Sequence, residues 1–120
     1  MALHAHMVTI DCGHPGKLAG WWLEAFGGEV VNDFGDFVMT KLDAAPVLVG
    51  FQRVPEQRAA KNRVHLDFGA DDMATEVQRL QGLGAAHVAD HAVEGFSWTT
   101  LQDPEGNEFC VSQQREWSAG

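Results

Sequence analysis

Positive charge is scarce in this 120-residue chain: eight lysines and arginines stand against 17 acidic residues, giving a formal net charge of −9. With no basic cluster to offset it, the surface repels phosphate backbones, and nucleic acid is not an expected partner. Cysteine is scarce too. Cys12 and Cys110 are the two in the sequence, too few for a disulfide framework. Long apolar runs are missing: nothing approaches the roughly 18 residues of a membrane span. No basic, apolar and small-residue succession at the start reads as an export signal. The expectation is a cytoplasmic protein with reduced thiols, away from membranes. There is no low-complexity tract either. What remains is an ordinary globular composition, 45% hydrophobic, of a length that suits one domain (1–120) with a sizeable core.

Within that length the sequence repeats itself. From Val8 it reads VTIDCGHPGKLAGWWLEAFGGEVV, and from Val64 it reads VHLDFGADDMATEVQRLQGLGAAHV. At a constant offset Val8 meets Val64, Asp11 meets Asp67, Gly13 meets Gly69 and Gly28 meets Gly84. Both copies run alternating strand, turn, helix, glycine stop and apolar strand. In the first, Pro15 suits an opening helical position because its missing N–H would be unbonded there anyway. Leu18, Trp21, Trp22, Ala25 and Phe26 then recur at helical spacing up to Gly27 and Gly28. In the second, Asp71 or Asp72 caps, and Met73, Val77, Leu80 and Leu83 form the stripe before Gly84. Strands are predicted at 29–32, 37–42 and 46–54 in the first copy, and at 86–89, 97–102 and 107–113 in the second. The polar run PEQRAAKN (55–62) reads as a linker between modules of about 5–54 and 63–114. The loops at 32–36 and 89–95 are left to shape any pocket. The fold class is α+β, with two tandem βαβββ modules.

Strand parity sorts the side chains. Val8, Ile10 and Cys12 share one face of the first strand, and Met7, Thr9 and Asp11 the other. In a strand over 63–69 the apolar set is Val64, Leu66 and Phe68, with His65 and Asp67 opposite. In the last strand Phe109 and Val111 oppose Glu108, Cys110 and Ser112. Side chains alternate across a sheet, so the apolar sets belong beneath the helices and the polar set faces away. A polar sheet face is either simply solvated or the lining of a site.

Three stretches resemble the vicinal oxygen chelate superfamily, which joins glyoxalases, bleomycin-resistance proteins and dioxygenases, and within it the glyoxalase-like domains. They are DCGHPGKLAGWWLEAFGG, RVHLDFGADDMATEVQRLQGLGA and DPEGNEFCV, spread over nearly the whole chain. The resemblance implies that the two modules form a half-open, cup-shaped sheet with helices outside. It also implies a homodimer, and a small molecule held in the cup, with a divalent ion in the metal-dependent members. Fold alone does not assign the chemistry. In those members ligands come from the first and last strands of each module. His65 stands at one such position. Counting from Gly106 places Cys110, not Glu108, where the family has a glutamate, and the first-strand position falls on Met7. His6 is adjacent but lies on the wrong face unless a bulge turns it.

The expected ligand pocket is therefore Met7, Thr9, Asp11, His65, Asp67, Trp98, Glu108 and Cys110, with no metal as the leading expectation. Were a divalent metal present, its ligands would be His65 and Glu108 with His6 or Cys110. Carboxylates suit a hard ion, and the Cys110 thiolate suits zinc or ferrous iron. His65 is the one candidate catalytic residue, as a general base with Asp67 or Glu108. Against this stands a pocket histidine simply bonded to a carboxylate. Cys110 reads as a small buried thiol or as a nucleophile lacking an orienting third group. Trp98 and Phe96 are stacking candidates, Trp22 belongs to the core, and His4 and His6 are surface residues. GHPGK lacks the spacing of a phosphate loop. Two readings follow: a metal-free binder of a small organic molecule, or a metal-dependent lyase, isomerase or dioxygenase whose ion polarises two neighbouring oxygens.

Overall fold

The computed structural model describes residues 5–55, 62 and 64–113. The chain divides into two compact units, Met1–Gln57 and Arg58–Gly120. Each is built on the same plan, a four-stranded open sheet with one helix, in the order βαβββ.

In the first unit, β1 (Met7–Cys12) leads into α1 (Pro15–Phe26), followed by β2 (Gly28–Asp33), β3 (Phe37–Leu42) and β4 (Leu48–Arg53). The spatial order is β1-β4-β3-β2, with β1 parallel to β4 and the other pairs antiparallel. Pro15 opens α1, where its lack of an N–H costs nothing. The helix stops at Gly27, whose φ of 73° favours a residue without Cβ and whose N–H reaches Leu23 O. The core is the face α1 covers. Leu18, Ala19, Trp22 and Ala25 pack over Val38, Leu42, Val49 and Phe51, all buried, with the Trp22 and Phe51 ring centroids 5.9 Å apart. Thr40 also lies there, its hydroxyl donating to Val49 O at 2.8 Å.

In the second unit, β5 (Leu66–Ala70), α2 (Met73–Gly82), β6 (Ala86–Val93), β7 (Phe96–Gln102) and β8 (Glu108–Gln113) give the order β5-β8-β7-β6. Asp72 caps α2 through Thr75 N–H at 3.2 Å, and this bond holds its carboxyl below the ordinary carboxylate range. The Asp-Pro-Glu-Gly turn is built around buried Asp103, which accepts from Glu105 and Asn107 N–H at 2.9 and 3.0 Å. Gly106 completes it at φ 88°. The helix-facing side of this sheet is identified by Gln113, whose side chain accepts from Met73 N–H at the start of α2. Phe109 and Val111 share its parity and are buried, and Phe68 packs edge-on against Phe109 at 6.1 Å. Among the described residues no helix is long and apolar enough to cross a membrane.

Several sequence expectations are corrected. The second module's first strand begins at Leu66, so Val64 is no part of its apolar face and is 76% exposed. The predicted member at 63 and the linker at 56–61 lie outside the described residues. β6 runs on to Val93 rather than ending at 89, because a two-residue Glu94-Gly95 turn lets it pair with β7 from Ala86 to Val93, apart from a bulge between His87 and Ala89. β4 is shorter than 46–54 at both ends. The constant offset between the copies also fails over the strands. β1 and β5 both end three residues before their helices, which matches Met7 with His65 and Thr9 with Asp67. The offset holds at Gly28 and Gly84 because α2, at 10 residues, is two shorter than α1 at 12. A slip of two residues preserves parity, so the division into faces is unaffected.

Candidate functional site

The face of the second sheet that turns away from α2 carries a row of polar groups from all four strands. The register sets Asp67 of β5 beside Cys110 of β8, Cys110 opposite Thr100 of β7, and Trp98 of β7 opposite His91 of β6. His65, just ahead of β5, has the parity of Asp67 and leans onto the same spot. The resulting contacts are continuous. Asp67 Oδ1 lies 3.3 Å from His65 Nδ1, and that nitrogen lies 3.9 Å from Cys110 Sγ. Sγ is 3.3 Å from Thr100 Oγ1, which is in turn 3.2 Å from His91 Nε2.

Burial is graded along the row. The Cys110 and Thr100 side chains are buried, while His65 is 34% and Asp67 67% exposed. The half-buried thiol-imidazole contact therefore sits at the floor of a surface that opens toward Asp67. At the other end, the His91 and Trp98 rings stack at 4.9 Å and 17°, and Phe96 tilts against Trp98 at 5.4 Å. An aromatic platform and a polar group thus share one sheet face.

The geometry distinguishes two chemistries. A Cys-His-Asp relay needs the thiol on one ring nitrogen and the carboxylate on the other. Here both contact Nδ1, so Asp67 does not orient His65 as a general base for Cys110. Instead His65, Asp67 and Cys110 each place one potential ligand atom within 4.8 Å of the others. Tetrahedral zinc with bonds of about 2.0–2.3 Å separates its ligand atoms by roughly 3.3–3.7 Å. The His65–Asp67 separation of 3.3 Å matches that spacing, the His65–Cys110 separation of 3.9 Å is wider, and the group is bounded only at 4.8 Å, so these are three neighbouring donors in a looser arrangement than a closed tetrahedral site.

The remaining predicted residues fall elsewhere. Glu108 lies on β8 next to this group but is not one of its three members. Its N–H donates to Asn62 Oδ1 at 2.7 Å, and the residue is buried. Asp67, two residues from His65 on the same face, is the carboxylate the structure sets 3.3 Å from its ring. Met7, Thr9 and Asp11 belong to the first unit and lie on its sheet face away from α1; Thr9 and Asp11 are exposed. His6 precedes β1, exposed, its carbonyl accepting from Leu48 N–H at 2.9 Å. His4 lies outside the described residues. Sequence reasoning missed Thr100 and His91. Parity with Trp98 identifies Thr100, and the Glu94-Gly95 turn fixes the pairing that brings in His91.

A family model described as a glyoxalase-like domain matches residues 7–112. No curated protein matches the chain significantly. Solved structures do. A mutant of the fosfomycin resistance protein FosX from Listeria monocytogenes, in complex with Mn(II) and 1S,2S-dihydroxypropylphosphonic acid, is 13% identical, with TM-score 0.78 over 97% of this chain and 93% of that one. A glyoxalase/bleomycin resistance protein/dioxygenase family enzyme from Burkholderia phytofirmans is 16% identical, with TM-score 0.78 over 92% and 98%. Lactoylglutathione lyase from Agrobacterium tumefaciens is 20% identical, with TM-score 0.70 over 95% and 96%. At these identities the likeness establishes the fold alone.

Proposed function

Because this chain belongs to the glyoxalase-like domain family, within a superfamily of varied activities, we propose that it binds a small organic molecule on the bare face of its second sheet. The observation that carries this reading is the single face joining the His91–Trp98–Phe96 stack to the His65–Asp67–Cys110 group. An apolar platform beside a few converging polar groups is the usual composition of a small-molecule site. The ligand class is a compact molecule with a planar or unsaturated part for Trp98 and an oxygen-bearing end for His65. In this reading no metal is required, since His65 supplies a hydrogen-bond donor or acceptor directly.

The test is a screen of small aromatic and polyoxygenated compounds by ligand-observed NMR, with Trp98→Ala beside the unaltered protein. Hits that weaken at least tenfold in Trp98→Ala support the site. Hits indifferent to Trp98, or no hits at all, remove it.

A second reading is favoured by one specific observation, the three donor atoms within 4.8 Å. It makes the protein a metal-dependent lyase, isomerase or dioxygenase. The bound ion would act as a Lewis acid on neighbouring substrate oxygens. In that case His65, Asp67 and Cys110 hold the ion, and Trp98 positions the rest of the substrate. Elemental analysis of tag-free protein, with titration of manganese, nickel, zinc and ferrous iron, separates the readings. One equivalent per chain, lost in His65→Ala, selects the second; no metal and no heat of binding select the first. A cytoplasmic homodimer completes the proposal, and monomeric elution at high micromolar concentration would count against its dimeric part.

A further inference from the structure

We infer that the second sheet carries a ledge for one flat ring, walled by Trp98 and floored by Ser112 and Gly69, whose ligand is a neutral or cationic aromatic compound with a hydrogen-bond-donating substituent. This deepens the organic-ligand reading above and rests on it. It adds which face of Trp98 is used, what keeps the space clear, and the charge the ligand carries.

The strand register aligns Gly69 of β5 with Ser112 of β8, Ser112 with Trp98 of β7, and Trp98 with His91 of β6, in one row across the sheet. Neighbouring strands lie about 4.8 Å apart. The His91 and Trp98 rings, 4.9 Å apart and at 17°, therefore stand side by side with their faces turned across the strands. His91 backs one face of the indole and is itself tied down, its Nε2 lying 3.2 Å from Thr100 Oγ1. Phe96, two residues before Trp98 on the same strand, is tilted by 35° at 5.4 Å and sits along the strand rather than across it. The second face of the indole looks over Ser112 and Gly69.

Both floor residues keep that space low. The Ser112 hydroxyl donates to Phe68 O at 3.4 Å, which folds it toward the backbone. Gly69 lies in β5 with none of the left-handed φ seen at Gly27 or Gly106, so no backbone conformation demands a glycine there. A glycine inside a strand weakens it and often marks a place where a ligand comes close. A ring stacked on Trp98 has its centroid about 4.5–7 Å from the indole's, which puts it above Ser112 and on the way to Gly69. Two residues before Gly69 on the same face stands Asp67, its side chain 67% exposed. A carboxylate only accepts hydrogen bonds, so a ligand group meeting it must donate, as a hydroxyl, amine or ammonium does. With that carboxylate at the end of the ledge and a net charge of −9, the chain repels carboxylate and phosphonate ligands.

The test follows the indole N–H signal of Trp98 in full-length, ¹⁵N-labelled protein, assigned through Trp98→Phe, during titrations with tyramine, phenol, benzoate and cyclohexanol. Tyramine should bind most tightly and phenol next. Benzoate, which lacks the donor, and cyclohexanol, which lacks the flat face, should each bind at least about tenfold more weakly than tyramine. Gly69→Val and Ser112→Leu should each weaken tyramine at least about tenfold by filling the floor. They do so from different strands, so one remains informative should the other fold poorly. Unchanged tyramine affinity in either folded variant overturns the ledge, and benzoate binding as tightly as tyramine overturns the donor class. In both cases a moving Trp98 signal leaves the organic-ligand site standing. A Trp98 signal that no probe moves overturns the ledge and that site together.

Discussion

The two units solve one packing problem in the same way and then diverge on the face the helix leaves bare. Met7, Thr9, Phe37, Met39 and Gly50 of the first sheet hold the register positions of His65, Asp67, Trp98, Thr100 and Cys110 in the second. At Gly50 a Cβ would lie 2.6 Å from the Phe37 ring and 3.2 Å from Met7 Sδ, so those side chains close over the space where the second unit has a thiol. Apolar side chains close over Gly50 on the first, and at the matching positions of the second stand a thiol, a hydroxyl, a carboxylate and an imidazole. Shared backbone plan with different side chains at five positions is what separates a structural surface from a candidate site.

The common half of that comparison should fail symmetrically. Trp22 and Phe109 are 1% and 0% exposed at the centres of the two helix-covered faces. Replacing either with alanine should cost about 3–5 kcal/mol by urea denaturation, from lost burial plus an unfilled cavity. If one costs under about 1 kcal/mol while the other is severe, the units do not share a packing logic and the comparison breaks.

The divergent half is sharpened at Gly50. Gly50→Ala should cost roughly 1 kcal/mol or less, because the atoms in the way are distal ones of Phe37 and Met7 that can shift aside. Phe37→Ala in the same chain should recover most of that loss, since the obstructing atoms are the far end of that ring. A double-mutant cycle with no coupling would show that Gly50 is not held small by Phe37.

Much of this division was legible in the sequence, for a definite reason. A period of two fixes the face of every strand residue whatever the exact strand ends, so His65, Asp67 and Cys110 fell together even though β5 starts later than the alternation suggested. The helices were legible from Pro15, Asp72 and the glycines that follow them. What parity cannot supply is which neighbouring strands lie side by side. The partnership of Cys110 with Thr100, and of Trp98 with His91, depends on the β5-β8-β7-β6 order and on a hairpin turn hidden in what reads as a loop. That Asp67 on β5, and not Glu108 on β8, falls in the group with His65 and Cys110 is likewise a matter of three-dimensional convergence, since parity puts both carboxylates on this face.

The smallest effect expected to separate the units is acid sensitivity at their edge strands. On β6, Asp90 accepts from Thr99 Oγ1 at 2.9 Å and pairs with His87 Nε2 at 3.0 Å, with His91 also nearby in charge. The His87 bond, then the Thr99 bond, holds its carboxyl below the ordinary value of 3.8. The described residues of β2, the matching edge of the first unit, contain no histidine. A carboxyl more acidic in the folded than in the unfolded chain binds fewer protons when folded, so its contribution is present above the ordinary carboxylate value. It is lost as pH falls through that value toward the folded one. Asp90→Asn should therefore be slightly less stable than the unaltered protein at neutral pH, and the difference should shrink on acidification. Because Asp90 is solvent-exposed the effect is modest, and screening should reduce it further in high salt. Urea midpoints measured from neutral pH to below the carboxylate range give the answer: a difference that stays constant with pH would mean the Asp90 bonds are geometric fixtures of the β6–β7 hairpin and carry no net electrostatic stabilisation.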